Sequence, residues 1–163
     1  HNQFLWQIGK SDGLAQEFKF GDQPRSIKWI EQVPADLTFT IGKSKDADDW
    51  YFAQGKVGKW DIKFDVNKPV GANAYLTVAI AGGGGGPRMQ VEVNGQNVGQ
   101  PIAPGNDSAT YRSSNRSGVY KLQTITFPGN LLKQGENTVT LNMTANGGRW
   151  HGLMYDTIFL EAD

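Results

Sequence analysis

Short runs of alternating apolar and polar residues dominate the chain. The alternation is clear in segments 18–20, 37–41, 60–66, 75–80, 89–93, 121–127, 138–143 and 154–161. Successive side chains of a β-strand point to opposite faces of its sheet, so each run predicts a strand with one buried and one wet face. The 21 glycines and seven prolines cluster between these runs, as turn residues do. The pattern therefore predicts an all-β protein with eight or more strands.

Two connections are specific enough to predict their geometry. Asn94 and Gly95 stand between two alternating arms, and this pair favours a tight hairpin in which both residues have positive φ. Segment 127–137 indicates a strand end, one turn of helix and a glycine stop, which is a crossover between sheets. Regular strand spacing with polar turns favours one domain, residues 1–163, folded as a jelly-roll β-sandwich of two antiparallel sheets.

Composition removes several classes of function. The 16 basic and 16 acidic side chains cancel, so no net charge draws the chain to nucleic acid or to an anionic membrane. No apolar run approaches the roughly 20 residues that span a bilayer. The absence of cysteine excludes disulfides, thiolate metal sites and cysteine nucleophiles. The start of the sequence shows no signal-peptide pattern and no methionine, which favours an excised or processed segment.

Signals for catalysis are weak. The two histidines are His1 and His151, and no nucleophile-elbow motif accompanies either. The acidic run 46–49 is typical of a solvated turn rather than an acid–base pair. The glycine run 82–86 lacks the Lys-Ser/Thr of a phosphate-binding loop. It predicts either a sharp bend beside a ligand or a plain flexible loop.

Aromatic and arginine side chains point instead to sugar recognition. The face of an aromatic ring packs on the C–H surface of a pyranose, and arginine, asparagine and aspartate bond its hydroxyls. Trp60 is in register with buried positions and is expected in the core, whereas Trp50 and Trp150 adjoin polar or glycine-rich loops. The alternative is that such residues merely fill or cap the sandwich, most readily Arg112, since arginine can pin a loop to carbonyls. The predicted ligand-binding residues are Trp50, Tyr51, Arg88, Tyr111, Arg112, Arg116, Arg149, Trp150 and His151.

Asp156 is a candidate metal ligand. It lies within the strand predicted at 154–161, where alternation calls for a polar but not necessarily charged residue. A carboxylate with backbone carbonyls suits a hard cation such as calcium. A surface carboxylate or a hydrogen-bonded cap is the equally consistent alternative.

Motifs at both ends of the chain resemble one known family. The sequence LWQIGKSDG at 5–13, followed by Glu17 and Phe18, resembles the W-x-I-G-x-x-D-G…E-F opening of the C-terminal jelly-roll domain of family 4 rhamnogalacturonan lyases. GENTVTL at 135–141 and GLMYDTIFLE at 152–161 resemble that domain's G-x-N-x-x-x-L and G-x-M-Y-D-x-I-x-L-E signatures. Segment 106–120 resembles the polar stretch before a late strand of the family.

The resemblance implies a secreted, monomeric carbohydrate-binding-module-like domain that recognises pectic, rhamnogalacturonan-type polysaccharide and packs beside a catalytic domain. The lyase's catalytic lysine and histidine would belong to that separate domain, so this chain should not be an enzyme. In similar modules a late aspartate and an early acidic residue hold a structural calcium; Asp156 fits the late position, and the early one falls at Gln7 or its neighbours. The alternatives are a docking domain that binds no sugar and, third, an independent hydrolase or lyase.

Overall fold

The computed structural model describes residues 3–21, 32–104, 121–147 and 152–163. Its elements, in chain order, are β1 (Gln3–Gly9), β2 (Leu37–Thr40), α1 (Asp46–Asp49), β3 (Ala53–Gln54), β4 (Gly58–Val66), β5 (Asn73–Gly84), β6 (Arg88–Val93), β7 (Gln96–Ile102), β8 (Lys121–Pro128), a 3-10 turn η1 (Gly129–Leu131), β9 (Gly135–Ala145) and β10 (Gly152–Ala162).

The strands form two sheets that face one another. The first has the order β1-β10-β5-β8, with β3 also paired to β10, and the second has the order β2-β4-β9-β6-β7. Strands that are distant in sequence lie side by side, so crossovers between the sheets build the jelly-roll sandwich that alternation predicts. One pairing departs from the expected antiparallel arrangement, because β2 runs parallel to β4 at the edge of the second sheet.

The inward-facing residues of both sheets form one core. On β4, for example, Trp60, Ile62, Phe64 and Val66 are buried while the residues between them are at least partly exposed, as expected for a strand with one wet face. Trp60 is fully buried, so its predicted core position is confirmed. Across the interior, the first sheet contributes Trp6, Ile8, Leu76, Val78, Ile158 and Leu160.

The two predicted connections are confirmed. Asn94 and Gly95 have φ of 47° and 84° and join β6 to β7. The segment after β8 forms the turn η1, and Gly135, with φ of 86°, begins β9. The buried side chain of Asn137 ties these regions together, because its Oδ1 accepts bonds from Asn94 Nδ2 and the Lys133 amide, each at 2.9 Å.

Two local predictions are wrong. Segment 18–20 forms only an isolated bridge between Lys19 and Tyr51, because Phe20 adopts φ of 67°, which ends an extended run. The glycine run is not mainly a loop either, since Gly82, Gly83 and Gly84 continue β5 and pair with β10. The chain turns only at Gly85 and Gly86, both of positive φ.

Candidate functional site

Trp50 lies in the core rather than on the surface. Its side chain is fully buried and packs against Trp60, Phe39 and Tyr155, with ring centroids 4.9, 5.7 and 5.9 Å away. The backbone here is held by a bond from the Lys19 amide to the Trp50 carbonyl, 2.9 Å long. The prediction that Trp50 offers an exposed face to a sugar ring is therefore wrong, because tertiary packing turns the ring inward.

Tyr51 is half-buried beside a small aromatic cluster. Its ring centroid lies 5.7 Å from that of Phe20 and 6.4 Å from that of Trp60. The Lys19 Nζ stands 5.5 Å from the Tyr51 ring and 5.8 Å from the Phe20 ring, within cation–π range. The role of Tyr51 in ligand binding stays a prediction.

Arg88 is exposed at the start of β6. It pairs with Ala145 near the end of β9, and its carbonyl accepts a bond from the Thr144 hydroxyl at 3.1 Å. Among the residues that the structure describes, its guanidinium makes no ion pair. Arg88 is thus an exposed cation at this end of the sandwich, and its role in ligand binding stays a prediction.

The described residues on either side of segment 148–151 lie at the same end as Arg88. Gly84 pairs with Gly152, and Gly147 approaches Gly85 so closely that an added Cβ would lie 2.2 Å from the Gly85 carbonyl oxygen. The positions on both sides of segment 148–151 are therefore close to the turn that precedes Arg88.

The connection between β7 and β8 also leaves and returns at this end. Met89, next to Arg88, pairs with Ile102, and Ile80 pairs with Lys121. A cavity of about 100 Å³ lies between these strand ends. The predicted ligand residues Tyr111, Arg112, Arg116, Arg149, Trp150 and His151 lie outside the described residues and stay predictions.

Asp156 belongs to a cluster of three carboxylates. One carboxylate oxygen each from Asp12, Glu17 and Asp156 lies within 4.8 Å of the other two. Asp156 is fully buried, Glu17 is half-buried and Asp12 is exposed, so the cluster extends from the interior to the surface. The alternative that Asp156 is a simple surface carboxylate is excluded by its burial.

A bulge in β10 positions Asp156. Along β5, Ile80 pairs with Tyr155 and the adjacent Ala79 pairs with Thr157, so Asp156 is the extra residue. A bulge redirects a side chain and commonly marks a functional position. The other edge of β10 changes partner at the same place, from β3 at Leu153 and Met154 to β1 from Thr157 onward.

The loop after β1 brings the other two carboxylates to this gap. Gly9 has φ of 81°, and an added Cβ would lie 2.2 Å from the Asp156 carbonyl oxygen, so only glycine fits this approach. The Asp12 amide then donates to Asp156 Oδ1 at 3.3 Å, and the Lys10 amide donates to Glu17 Oε1 at 3.0 Å.

The electrostatics of the cluster fit a bound cation. Burial raises the pKa of Glu17, two backbone hydrogen bonds oppose this, and the charges of Asp12 and Asp156 raise it further. Glu17 Oε2 is buried and has no hydrogen-bond partner among the described residues. Three carboxylates with an unused buried oxygen form a set of hard oxygen donors of the kind that calcium prefers.

Sequence reasoning placed the early partner of Asp156 wrongly. Gln7 is exposed, and its amide nitrogen donates to the Gly9 carbonyl at 2.9 Å. The carboxylates that approach Asp156 are those of Asp12 and Glu17, which are the D and E of the opening motif. The motif itself was the signal that could have identified them.

Comparison with known proteins identifies the family. Residues 4–160 match the family described as "CBM-like: Polysaccharide lyase family 4, domain III". The chain belongs to this family. The description of a CBM-like third domain of a lyase confirms that this domain III is an accessory domain and not the enzyme's catalytic part.

A curated relative of this domain III is the rhamnogalacturonate lyase of Dickeya dadantii (strain 3937). The two are 40% identical over 164 residues, which cover 95% of this chain but 27% of the relative. The chain thus spans about a quarter of the length of the curated relative that it matches.

Solved structures with a similar outline include two family 35 carbohydrate-binding modules. One, from an environmental isolate, has 16% identity and a TM-score of 0.46, with 98% of this chain and 94% of that chain covered. The other, from Clostridium thermocellum, has 19% identity and a TM-score of 0.44, with 63% and 70% covered. No helix among the described residues of the domain III is long and apolar enough to cross a membrane.

Proposed function

We propose that this domain III binds pectic, rhamnogalacturonan-type polysaccharide at the end of the sandwich that contains the glycine run 82–86 and Arg88, here called the glycine-rich end. The proposal rests mainly on one observation. The exposed Arg88 lies at the same end of the sandwich as the described residues that flank segments 105–120 and 148–151. Those two segments contain three arginines, two tyrosines, a tryptophan and a histidine. Loops presented by a rigid sandwich are a common place for binding residues.

The chemistry of these residue types suits an acidic polysaccharide. A galacturonate carboxylate accepts two parallel hydrogen bonds from one guanidinium, which gives both charge attraction and orientation. Aromatic faces stack on the neutral sugar between the acidic ones. With Trp50 in the core, the arginines carry more of the recognition than an aromatic platform would.

Isothermal titration calorimetry with rhamnogalacturonan oligosaccharides tests the proposal. A hydrogen bond to a charged group contributes about 1.5–3 kcal/mol, so Arg88→Ala should weaken binding by about 10- to 150-fold. Arg149→Ala and Trp150→Ala should weaken it too, with melting temperatures close to that of the parent chain.

Lys43→Ala is the matched control, because Lys43 is an exposed cation in the turn after β2. It should leave the affinity unchanged. Unaltered affinity in the Arg88 and Arg149 variants would remove this end as the site. No binding of any pectic or hemicellulosic polymer by the parent chain would favour the docking-domain alternative.

We also propose that Asp156, Glu17 and Asp12 hold a structural calcium ion. The bound cation would neutralise three carboxylates that otherwise repel one another in a partly buried place. It would join β10 to the loop after β1 at the point where β10 has no continuous edge partner. Its role is to stabilise the fold, separate from sugar contact.

Differential scanning calorimetry with added calcium or a chelator measures this effect. Calcium at about 100 times its dissociation constant should stabilise the domain by about 2.7 kcal/mol, which is roughly 5–11 °C in melting temperature. Asp156→Asn and Glu17→Gln should abolish the calcium-dependent shift, while Asp48→Asn, at an exposed carboxylate in α1, should retain it. A chelator-independent melting temperature in the parent chain would reject the site.

The proposal of polysaccharide binding also implies where the domain acts and what its partner is. A module for plant cell-wall polysaccharide would act outside the cell, as a monomeric part of a longer lyase chain. Its partner within that chain would be the catalytic domain.

A further inference from the structure

The first and last described residues lie side by side at the end of the sandwich opposite Arg88. Gln3 pairs with Ala162, and its side-chain amide donates to the Asp163 carbonyl at 3.0 Å. The Asp163 amide donates to Asn73 at the start of β5, whose other end is Gly84. The 12 residues of β5, at 3.3 Å each, separate the two ends by roughly 40 Å.

Any further domain of the lyase is therefore joined to the sandwich at this end. The matched relative is about four times as long as the part that this chain covers, and the family description numbers this domain as the third. Whichever side the other domains attach to, the polypeptide joins the sandwich beside β1. A domain joined through this end of the same polypeptide has a high effective concentration at nearby surfaces.

A groove of about 390 Å³ lies beside this junction. It is lined by β1 at Gln3, Phe4 and Leu5 and by the end of β4 with the residues after it, Asp65 to Lys68. Val66 is buried and Leu5 half-buried, whereas Asp65 and Lys68 are exposed and of opposite charge. A mixture of apolar side chains and exposed charges of both signs is the usual make-up of a surface between domains.

Phe4, which lines this groove, is the second indication of a contact surface there. Its side chain is 60% exposed, one of three large apolar side chains left so among the described residues. The ring stacks on Phe159 of β10, with centroids 6.4 Å apart and planes inclined by 26°, so it is held in place. Moreover, β1 is the outermost strand of its sheet, and an outer strand has backbone donors and acceptors to offer.

We infer that Phe4 and the groove between β1 and β4 dock another domain of the same lyase polypeptide. The module is then held against the enzyme by the end that carries its chain connections, and the glycine-rich end points away from it. This inference rests on the chain being one domain of a longer lyase, and it does not depend on whether the glycine-rich end binds sugar.

Site-directed thiol labelling tests the docking surface cleanly, because the chain contains no cysteine. Phe4→Cys and the control Leu122→Cys are prepared in this 163-residue chain and in the full-length lyase, and maleimide modification of each position is followed by peptide mass spectrometry. Leu122 is 63% exposed on β8, the strand at the opposite edge of the same sheet. Melting temperatures confirm that each variant is folded.

In the isolated chain both thiols should react at similar rates. In the full-length lyase the Phe4→Cys thiol should react at least tenfold more slowly, while the Leu122→Cys rate is unchanged. Equal Phe4→Cys rates in the two proteins would overturn the inference. So would protection in the isolated chain, either by pectic oligosaccharide, which would make the groove a sugar site, or by dimerisation seen in sedimentation.

Discussion

Replacing Trp50 separates its structural role from a role in sugar binding. The side chain is fully buried and contacts Phe39, Trp60 and Tyr155, which come from three different strands of both sheets. Trp50→Ala removes the ring that these side chains share and leaves a cavity between the sheets. Because the site is enclosed by large rings, it cannot collapse fully around an alanine.

The expected cost follows from this burial. Truncation of a buried tryptophan to alanine lowers the free energy of unfolding by about 3–5 kcal/mol. For a domain of this size that corresponds to a drop of roughly 6–20 °C in melting temperature. Urea denaturation followed by far-ultraviolet circular dichroism measures the change, and titration of the folded variant with pectic oligosaccharide measures its affinity.

Two further variants sharpen the test. Trp50→Phe retains part of the packing and removes an indole N–H that is buried without a hydrogen-bond partner among the described residues, so its cost should be well below that of alanine. Leu122→Ala, at an exposed position, should change stability by less than about 0.5 kcal/mol. A Trp50→Ala chain with unchanged stability but lost sugar affinity would refute the packing argument.

Two other substitutions probe the regions around the core. Gly9→Ala should lower the free energy of unfolding by about 2 kcal/mol or more, because it forces positive φ and a Cβ 2.2 Å from the Asp156 carbonyl oxygen; an unchanged urea midpoint would contradict this. Asn137→Ala should cost about 2–4 kcal/mol in the same assay, because it removes an acceptor from Asn94 and Lys133 in a buried place. A cost below 1 kcal/mol would show that water replaces these bonds.

The two ends of the sandwich carry different residues, and we propose a different role for each end. The glycine-rich end carries Arg88 and the flanks of the arginine- and aromatic-containing segments. The opposite end carries both ends of the described chain, the exposed Phe4 and the groove. A module with this arrangement can be attached to an enzyme by one end and reach polysaccharide with the other.

Strand prediction succeeded where alternation alone decides burial. The run containing Trp60 is an example, since every second side chain there is buried. It failed at segment 18–20, which alternates equally well but contains Phe20 in a left-handed conformation. It also missed β1, where a register shift between Phe4 and Trp6 interrupts the alternation. The pairing of Gly82 to Gly84 was missed because glycine has no side chain from which a pattern can be read.

Site prediction was weakest for side chains whose direction depends on packing. Trp60 stands in an alternating run that marks it as buried, and Trp50 adjoins a polar loop, yet Trp50 also lies in the core because rings from both sheets surround it. The metal candidate Asp156 lies in a cluster with Asp12 and Glu17, two carboxylates that the sequence analysis did not name as its partners, and its metal binding stays a prediction. The opening motif marks Asp12 and Glu17, but nothing local to them shows which residue about 140 positions away they approach.

By itself, the sequence determined the all-β architecture, the hairpin at Asn94-Gly95 and the family, because side-chain alternation, positive-φ turn residues and terminal motifs are all local properties. Only the tertiary structure decided that Trp50 is buried, that Asp12, Glu17 and Asp156 meet, and that both ends of the described chain lie opposite Arg88. These facts depend on which strands become neighbours and on one bulge in β10. Such long-range pairing leaves no trace in the residues on either side.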